Sequence, residues 1–140
     1  MALRRNAKVD LIKSVPLFEH CSRRDLAEVA AIADEIDLPE GKELTQEGSP
    51  GREFFVLVEG DAAVRKGNRR INRLGPGDFF GEIALVNEQP RTATVVAETP
   101  VRALVITARS FKRLLSEQPQ IQGKVLSAIA ARLSPDSDIR

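Results

Sequence analysis

Tryptophan and tyrosine are absent from this chain of 140 residues, and cysteine and histidine occur once each. Each shortage removes a class of function. A lone thiol, Cys21, can close no internal disulfide, which fits a reducing cytoplasm. Cys21 and its neighbour His20 cannot supply the four ligands of a structural zinc cage. Nor can adjacent residues that point apart form a nucleophile–base pair. No run approaches the roughly 18–20 apolar residues of a membrane span, and the N-terminal arginines Arg4 and Arg5 precede no apolar signal region. Neither sign of charge dominates: 21 Lys and Arg against 20 Asp and Glu leave a net +1. The chain as a whole therefore exerts no strong pull on nucleic acid or anionic lipid. The basic run Arg65, Lys66, Arg69, Arg70 and Arg73 has no Trp or Tyr beside it to stack on bases, so it reads as a solvated hairpin tip.

What is present describes one globular domain, 42% hydrophobic and 29% charged, long enough to bury a single core. Eight of the nine glycines fall between residues 41 and 81. Glycine supplies the turns of β-structure, so the middle of the chain reads as strands and the ends as helices. Helical spacing of apolar residues appears in "NAKVDLIKSV", stopped by Pro16, and in "SRRDLAEVAAIADEI", with Ser22 as N-cap. Short β-branched runs at roughly 8–12-residue intervals follow, with a hairpin about Gly67-Asn68, and suggest a barrel or sandwich. Helix returns with Phe111, Leu114 and Leu115, then with a stripe of Ile121, Val125, Leu126, Ile129 and Leu133 beginning near Pro119. The expected layout is helices over 6–34, β-structure over 35–107, helices over 108–133 and a polar tail over 134–140.

One segment, "GDFFGEIALVNEQPRTATV", poses a question. It is largely apolar yet carries Glu82 and Arg91. Charged side chains rarely enter an interior without a partner, so the two either neutralise each other or face a cleft. Local physics favours the cleft. Gly81 opens a single helical turn, "EIALV", whose first N–H groups lack internal partners and attract an anion. Pro90 sets the approach of Arg91, whose guanidinium can grip a phosphate through two parallel N–H bonds. Glu82 is an acceptor suited to hydroxyl donors such as a ribose 2′-OH. The pair describes a pocket for a sugar phosphate, with too few acidic groups to hold the magnesium of a nucleoside triphosphate.

"FGEIALVNEQPRTATV" closely resembles the phosphate-binding cassette of cyclic nucleotide-binding domains, F-G-E-x-A-L followed by a short loop and R-[T/S/A]-A. Phe80, Gly81, Glu82, Ala84, Leu85, Arg91, Thr92 and Ala93 all fit that pattern. Upstream, "EGSPGREFFVLVEGDAAV" is similar to the family's strand pair, and the flanking helices agree with it. The resemblance implies an α+β, mainly β fold: an eight-stranded jelly-roll-like β-barrel, or double-stranded β-helix, flanked by N-terminal and C-terminal helices. It implies that Arg91 binds the exocyclic phosphate oxygens and that Glu82 accepts from the ribose 2′-OH. The main chain of Gly81 and Ala84 would donate to ribose or phosphate, Thr92 and Ala93 would line the same wall, and Phe80 and Ile83 count with them among the ligand-binding residues.

The regulatory ligand implied is cAMP, favoured over cGMP, with no cofactor, metal, nucleic acid or membrane involved. An effector protein, or an output domain outside this chain, would read the signal, in a stand-alone sensor or in part of a longer regulator. The last helix would serve as a lid over the base or as the seam of a homodimer. An enzyme is not expected. Glu82 has no second acid or nucleophile beside it, and a metal-dependent oxygenase on such a barrel needs several histidines. The rival reading is a degenerate cyclic-nucleotide-like domain used only for protein contact; the intact Glu82 and Arg91 argue against it.

Overall fold

The computed structural model describes residues 3–132. Helix α1 (Arg5–Ile12) is followed by a 3-10 turn at Pro16–Phe18 and helix α2 (Arg23–Ala31). Ser22 starts α2 through a reciprocal capping box. Its Oγ accepts from the Asp25 N–H at 3.1 Å, and Asp25 Oδ2 accepts from the Ser22 N–H at 2.9 Å. Pro16 does not stop α1 as the sequence suggests. The helix ends earlier, at Ile12, and Pro16 opens the 3-10 turn, preceded by Val15 in the extended conformation that a following proline imposes.

Eight strands come next among the described residues: β1 (Asp34–Leu38), β2 (Glu43–Thr45), β3 (Glu53–Glu59), β4 (Ala62–Lys66), β5 (Arg69–Leu74), β6 (Phe79–Phe80), β7 (Thr94–Ala97) and β8 (Val101–Thr107). Hydrogen bonding joins them into two four-stranded antiparallel sheets, ordered β1-β8-β3-β6 and β2-β7-β4-β5. Each sheet alternates first-half and second-half strands, the wrapping of a jelly roll. One apolar cluster is shared between them: Leu57 and Ala103 from the first sheet meet Ala62, Val95 and Ala97 from the second. Glycines make the tight corners. Gly67 has φ +60 at the first central position of the β4–β5 hairpin, where a type II′ turn places glycine.

Helices α3 (Ala108–Glu117) and α4 (Pro119–Arg132) close the described chain. Thr107 caps α3 by accepting from the Ser110 N–H at 3.1 Å, and Pro119 occupies the first position of α4, where a missing N–H costs nothing. A second core lies under the helices. Phe18 meets Phe54 of β3 and Phe111 of α3 edge-on, with ring centroids 6.4 and 5.8 Å apart. Such pairs add about 0.5–1.5 kcal/mol each beyond their burial. On α4 the buried face is Ile121, Val125 and Ala128. Leu126 lies about 100° around the helix from Val125 and is 58% exposed, so it leaves the stripe expected of it. Leu133 and the 134–140 tail fall outside the described residues. Lys124 also ties α4 to α2 through an ion pair with the buried Asp25.

Candidate functional site

The loop carrying Arg91 is stitched to the loop between β2 and β3. The Arg91 N–H donates to Ser49 O at 2.7 Å, the Gly48 N–H to Arg91 O at 2.9 Å, and the Gly51 N–H to Gln89 O at 2.8 Å. Pro50 faces Pro90 in an isolated bridge, and Arg52 pairs with Glu88 at 2.9 Å. With its main chain held from both sides, Arg91 can direct its side chain inward.

That side chain is only 11% exposed. Nη2 donates to the main-chain oxygen of Glu53 at 2.7 Å, and the Glu53 carboxylate stands 3.7 Å away. Burial lowers the guanidinium's pKa from its ordinary value, and the charge of Glu53 opposes that effect. The carboxylate nearest the buried cation in this geometry is thus Glu53, which sits on β3 and was not singled out from the sequence. Nη1 is turned toward Gly81. Gly81 adopts φ +83 and heads a 3-10 turn at Glu82–Leu85, one turn as expected but wound more tightly than an α-helix.

Gly81 and Arg91 open onto a cavity of about 310 Å³. Phe80, Thr92 and Ala93 line its cassette side; Thr45, Val64, Asn72, Leu74, Phe79 and Val95 complete the wall. Five of the eight expected site residues therefore share one lining. Glu82, Ile83 and Ala84 belong to the turn beyond Gly81 and are not part of it; Ala84 is buried and Ile83 is 40% exposed. Motif reasoning missed six lining residues: Leu74, Phe79, Thr45, Val64, Asn72 and Val95. Strand alternation would have marked them as inward, but only the register reveals which of them meet.

A larger concavity of about 520 Å³ is lined by Thr94, Val96 and Arg65, whose side chains alternate with the inward Val95 and Val64. It lies on the other face of the sheet, away from Arg91. Elsewhere, burial and the nearby Asp25 push the Cys21 thiol up to about 11, opposed by Lys124, so Cys21 is no thiolate nucleophile at neutral pH. No group of three or more His, Cys, Asp or Glu among the described residues could hold a metal ion. None of the described helices is long and apolar enough to cross a membrane. In the basic hairpin, Arg70 and Arg73 are paired on the surface with Glu98 and Asp61.

The sequence model of the cyclic nucleotide-binding domain matches residues 35–118. Over 116 residues the chain is 42% identical to the cAMP-dependent protein kinase regulatory subunit of Mycosarcoma maydis, a match that covers 74% of this chain and 22% of that protein. The corresponding subunit of Neurospora crassa is 31% identical over 134 residues, covering 94% of this chain and 35% of the relative. The chain thus spans between 22% and 35% of the regulatory subunits it matches. Among solved structures, the N-terminal domain of a transcriptional regulator from Streptomyces coelicolor A3(2) superposes with a TM-score of 0.83 at 30% identity, covering 92% of this chain and 96% of the other. The structure of cAMP-bound PfPKA-R (141–441) gives a TM-score of 0.67 at 28% identity, covering 91% and 46%.

Proposed function

The chain belongs to the cyclic nucleotide-binding domain family, and on that premise we propose that it binds a 3′,5′-cyclic nucleotide, cAMP in preference to cGMP, as a regulatory sensor without catalysis of its own. The observation that carries this reading is Arg91. A guanidinium 11% exposed, with one hydrogen bond to a main-chain oxygen and one nitrogen turned toward Gly81, is a cation prepared for an anion. The cavity beside it is otherwise mostly apolar, as a base requires.

In this reading Arg91 grips the exocyclic phosphate oxygens, and the main chain of Gly81, Ile83 and Ala84 donates to phosphate and ribose. Phe80, Thr92 and Ala93 pack along the same wall. Glu82 takes the 2′-OH, which requires the 82–85 turn to move toward the ligand. Leu85, fully buried in the core beneath the helices, transmits that movement to α3 and α4. A ligand shifts such an equilibrium only as far as it prefers one state. Two or three charge-assisted bonds of about 1.5–3 kcal/mol each are enough for that. The signal passes to an effector protein or to an output domain outside this chain. The exposure of Leu126 on α4 favours a second use of that helix as a homodimer seam.

Calorimetric titration of cAMP and cGMP into the wild-type protein and Arg91→Ala tests the proposal. Binding should weaken by about 2–3 kcal/mol or more in the variant. No heat with either nucleotide, together with an unmoved melting temperature at millimolar ligand, would leave only the reading of a protein-contact domain.

A further inference from the structure

Two glycines fix the Arg91 guanidinium in place. A first side-chain carbon at Gly51 would stand 3.4 Å from Arg91 Cδ and Nε, and one at Gly81 would stand 2.6 Å from Nη1. Between them Nη2 donates to the Glu53 main-chain oxygen at 2.7 Å. A cation wedged in this way cannot swing toward a charge, so charges must come to it. Glu53 supplies the first. Its carboxylate lies 3.7 Å from Nη2, too far for a hydrogen bond and close enough for attraction.

The main chain that carries this carboxylate is held as firmly as Arg91. Glu53 pairs with Thr107 across β3 and β8, and the oxygen of Arg52 accepts from the Ala108 N–H at 2.8 Å. The carboxylate therefore acts on the site in two opposite ways. It offsets the cost of burying a guanidinium that is 11% exposed. It also faces any anion that the same guanidinium attracts. A phosphate gripped by Arg91 comes within roughly 9 Å of the carboxylate, a separation that salt screens little where protein fills part of the path.

We infer that Glu53 is a resident counter-ion that tunes the phosphate site: it steadies Arg91 and, by repelling the incoming phosphate, keeps cyclic nucleotide affinity below what the guanidinium alone would give. The inference rests on the nucleotide reading above and adds the residue that sets its strength. A residue that only supports the fold would lower stability and affinity together when replaced. A counter-ion moves them in opposite directions.

Urea unfolding without ligand and calorimetric titration of cAMP, on wild type, Glu53→Gln, Glu53→Ala and Glu53→Asp, tell the two apart. The glutamine and alanine variants should both be less stable than wild type, because Arg91 stays buried and loses its counter-charge. Both should nevertheless bind cAMP tighter, by roughly threefold to fivefold, the upper end for a partly exposed charge pair. Added salt should shrink that gain. Glu53→Asp keeps the charge and should stay closer to wild type in both measurements. In an Arg91→Ala background, Glu53→Gln should leave the unliganded stability unchanged. Weaker or unmoved cAMP binding in both uncharged variants overturns the inference. So does a gain confined to glutamine, which would mean that its amide donates to the phosphate. A wild-type protein that binds neither cAMP nor cGMP overturns the nucleotide reading itself, and the inference with it.

Discussion

Gly81 and Arg91 are packed so closely that a single methyl group would not fit between them. A side chain at position 81 would place its first carbon 2.6 Å from Arg91 Nη1 and 2.9 Å from the Glu53 main-chain oxygen, the two groups that define the guanidinium's position. The φ of +83 at Gly81 adds a second barrier, since L side chains seldom adopt it. Gly81→Ala should therefore cost about 1–3 kcal/mol in urea unfolding. By displacing Arg91 it should also weaken cyclic nucleotide binding at least about tenfold, as the loss of one well-placed charged hydrogen bond would. A variant that binds like wild type would show that Arg91 can act from another position.

Gly60 supplies the matching control. A methyl there would stand 2.2 Å from Pro100 O, and its φ of +88 is equally hostile to other residues. Gly60 joins β3 to β4 and is not part of the cavity lining. Gly60→Ala should thus lower stability by about 2–4 kcal/mol through the same strain while the folded fraction keeps its nucleotide affinity. Titration well below the melting temperature separates this outcome from that of Gly81→Ala.

Asp25 has two tasks: it completes the α2 capping box and anchors α4 through Lys124. Burial pushes its carboxyl pKa up, but the hydrogen bonds from Lys124 and Ser22 outweigh that and hold it below 3.8. A depressed folded value contributes stability above the unfolded pKa that is lost as pH falls through the folded one. The stability gap between wild type and Asp25→Asn should accordingly be full at pH 5–7 and shrink below about pH 4. Lys124→Met, which strands the carboxylate, should cost about 1–3 kcal/mol at pH 7, less than for a wholly buried pair because Lys124 keeps contact with water. Urea unfolding across the pH range measures both; a pH-independent gap would place the contribution of Asp25 in packing.

Much of this was legible in the sequence because local chemistry decided it. The glycine-rich middle became strands, Ser22 and Pro119 marked helix starts, and "FGE" with Arg91 marked the cassette. The illegible parts depend on register and three-dimensional neighbours. Nothing local distinguishes Glu53 from Glu82 as the carboxylate near Arg91; the pairing of loops 48–51 and 89–91 does. Asn72 sits in a run of arginines that reads as solvent-facing, and it is exposed; only its pairing with Val64 brings it to the edge of the cavity. Leu126 fits a helical stripe on paper, yet the face of α4 that is buried is Ile121, Val125 and Ala128.

Glu82 offers the sharpest check on how the ribose is held. Its turn follows Gly81 but lies outside the lining of the cavity, so contact with a 2′-OH requires the turn to close on the ligand. If it does, Glu82→Ala should weaken cAMP binding by about 1.5–3 kcal/mol, the range for a hydrogen bond to a charged group. The same variant should lose almost nothing toward 2′-deoxy-cAMP, which has no hydroxyl to offer. The double comparison of two proteins and two ligands isolates that one contact. Hydrogen exchange adds the structural arm: amides of the 82–86 turn should slow when cAMP binds to wild type and slow less in the variant. Equal losses for both nucleotides would mean that Glu82 supports the turn rather than the ribose.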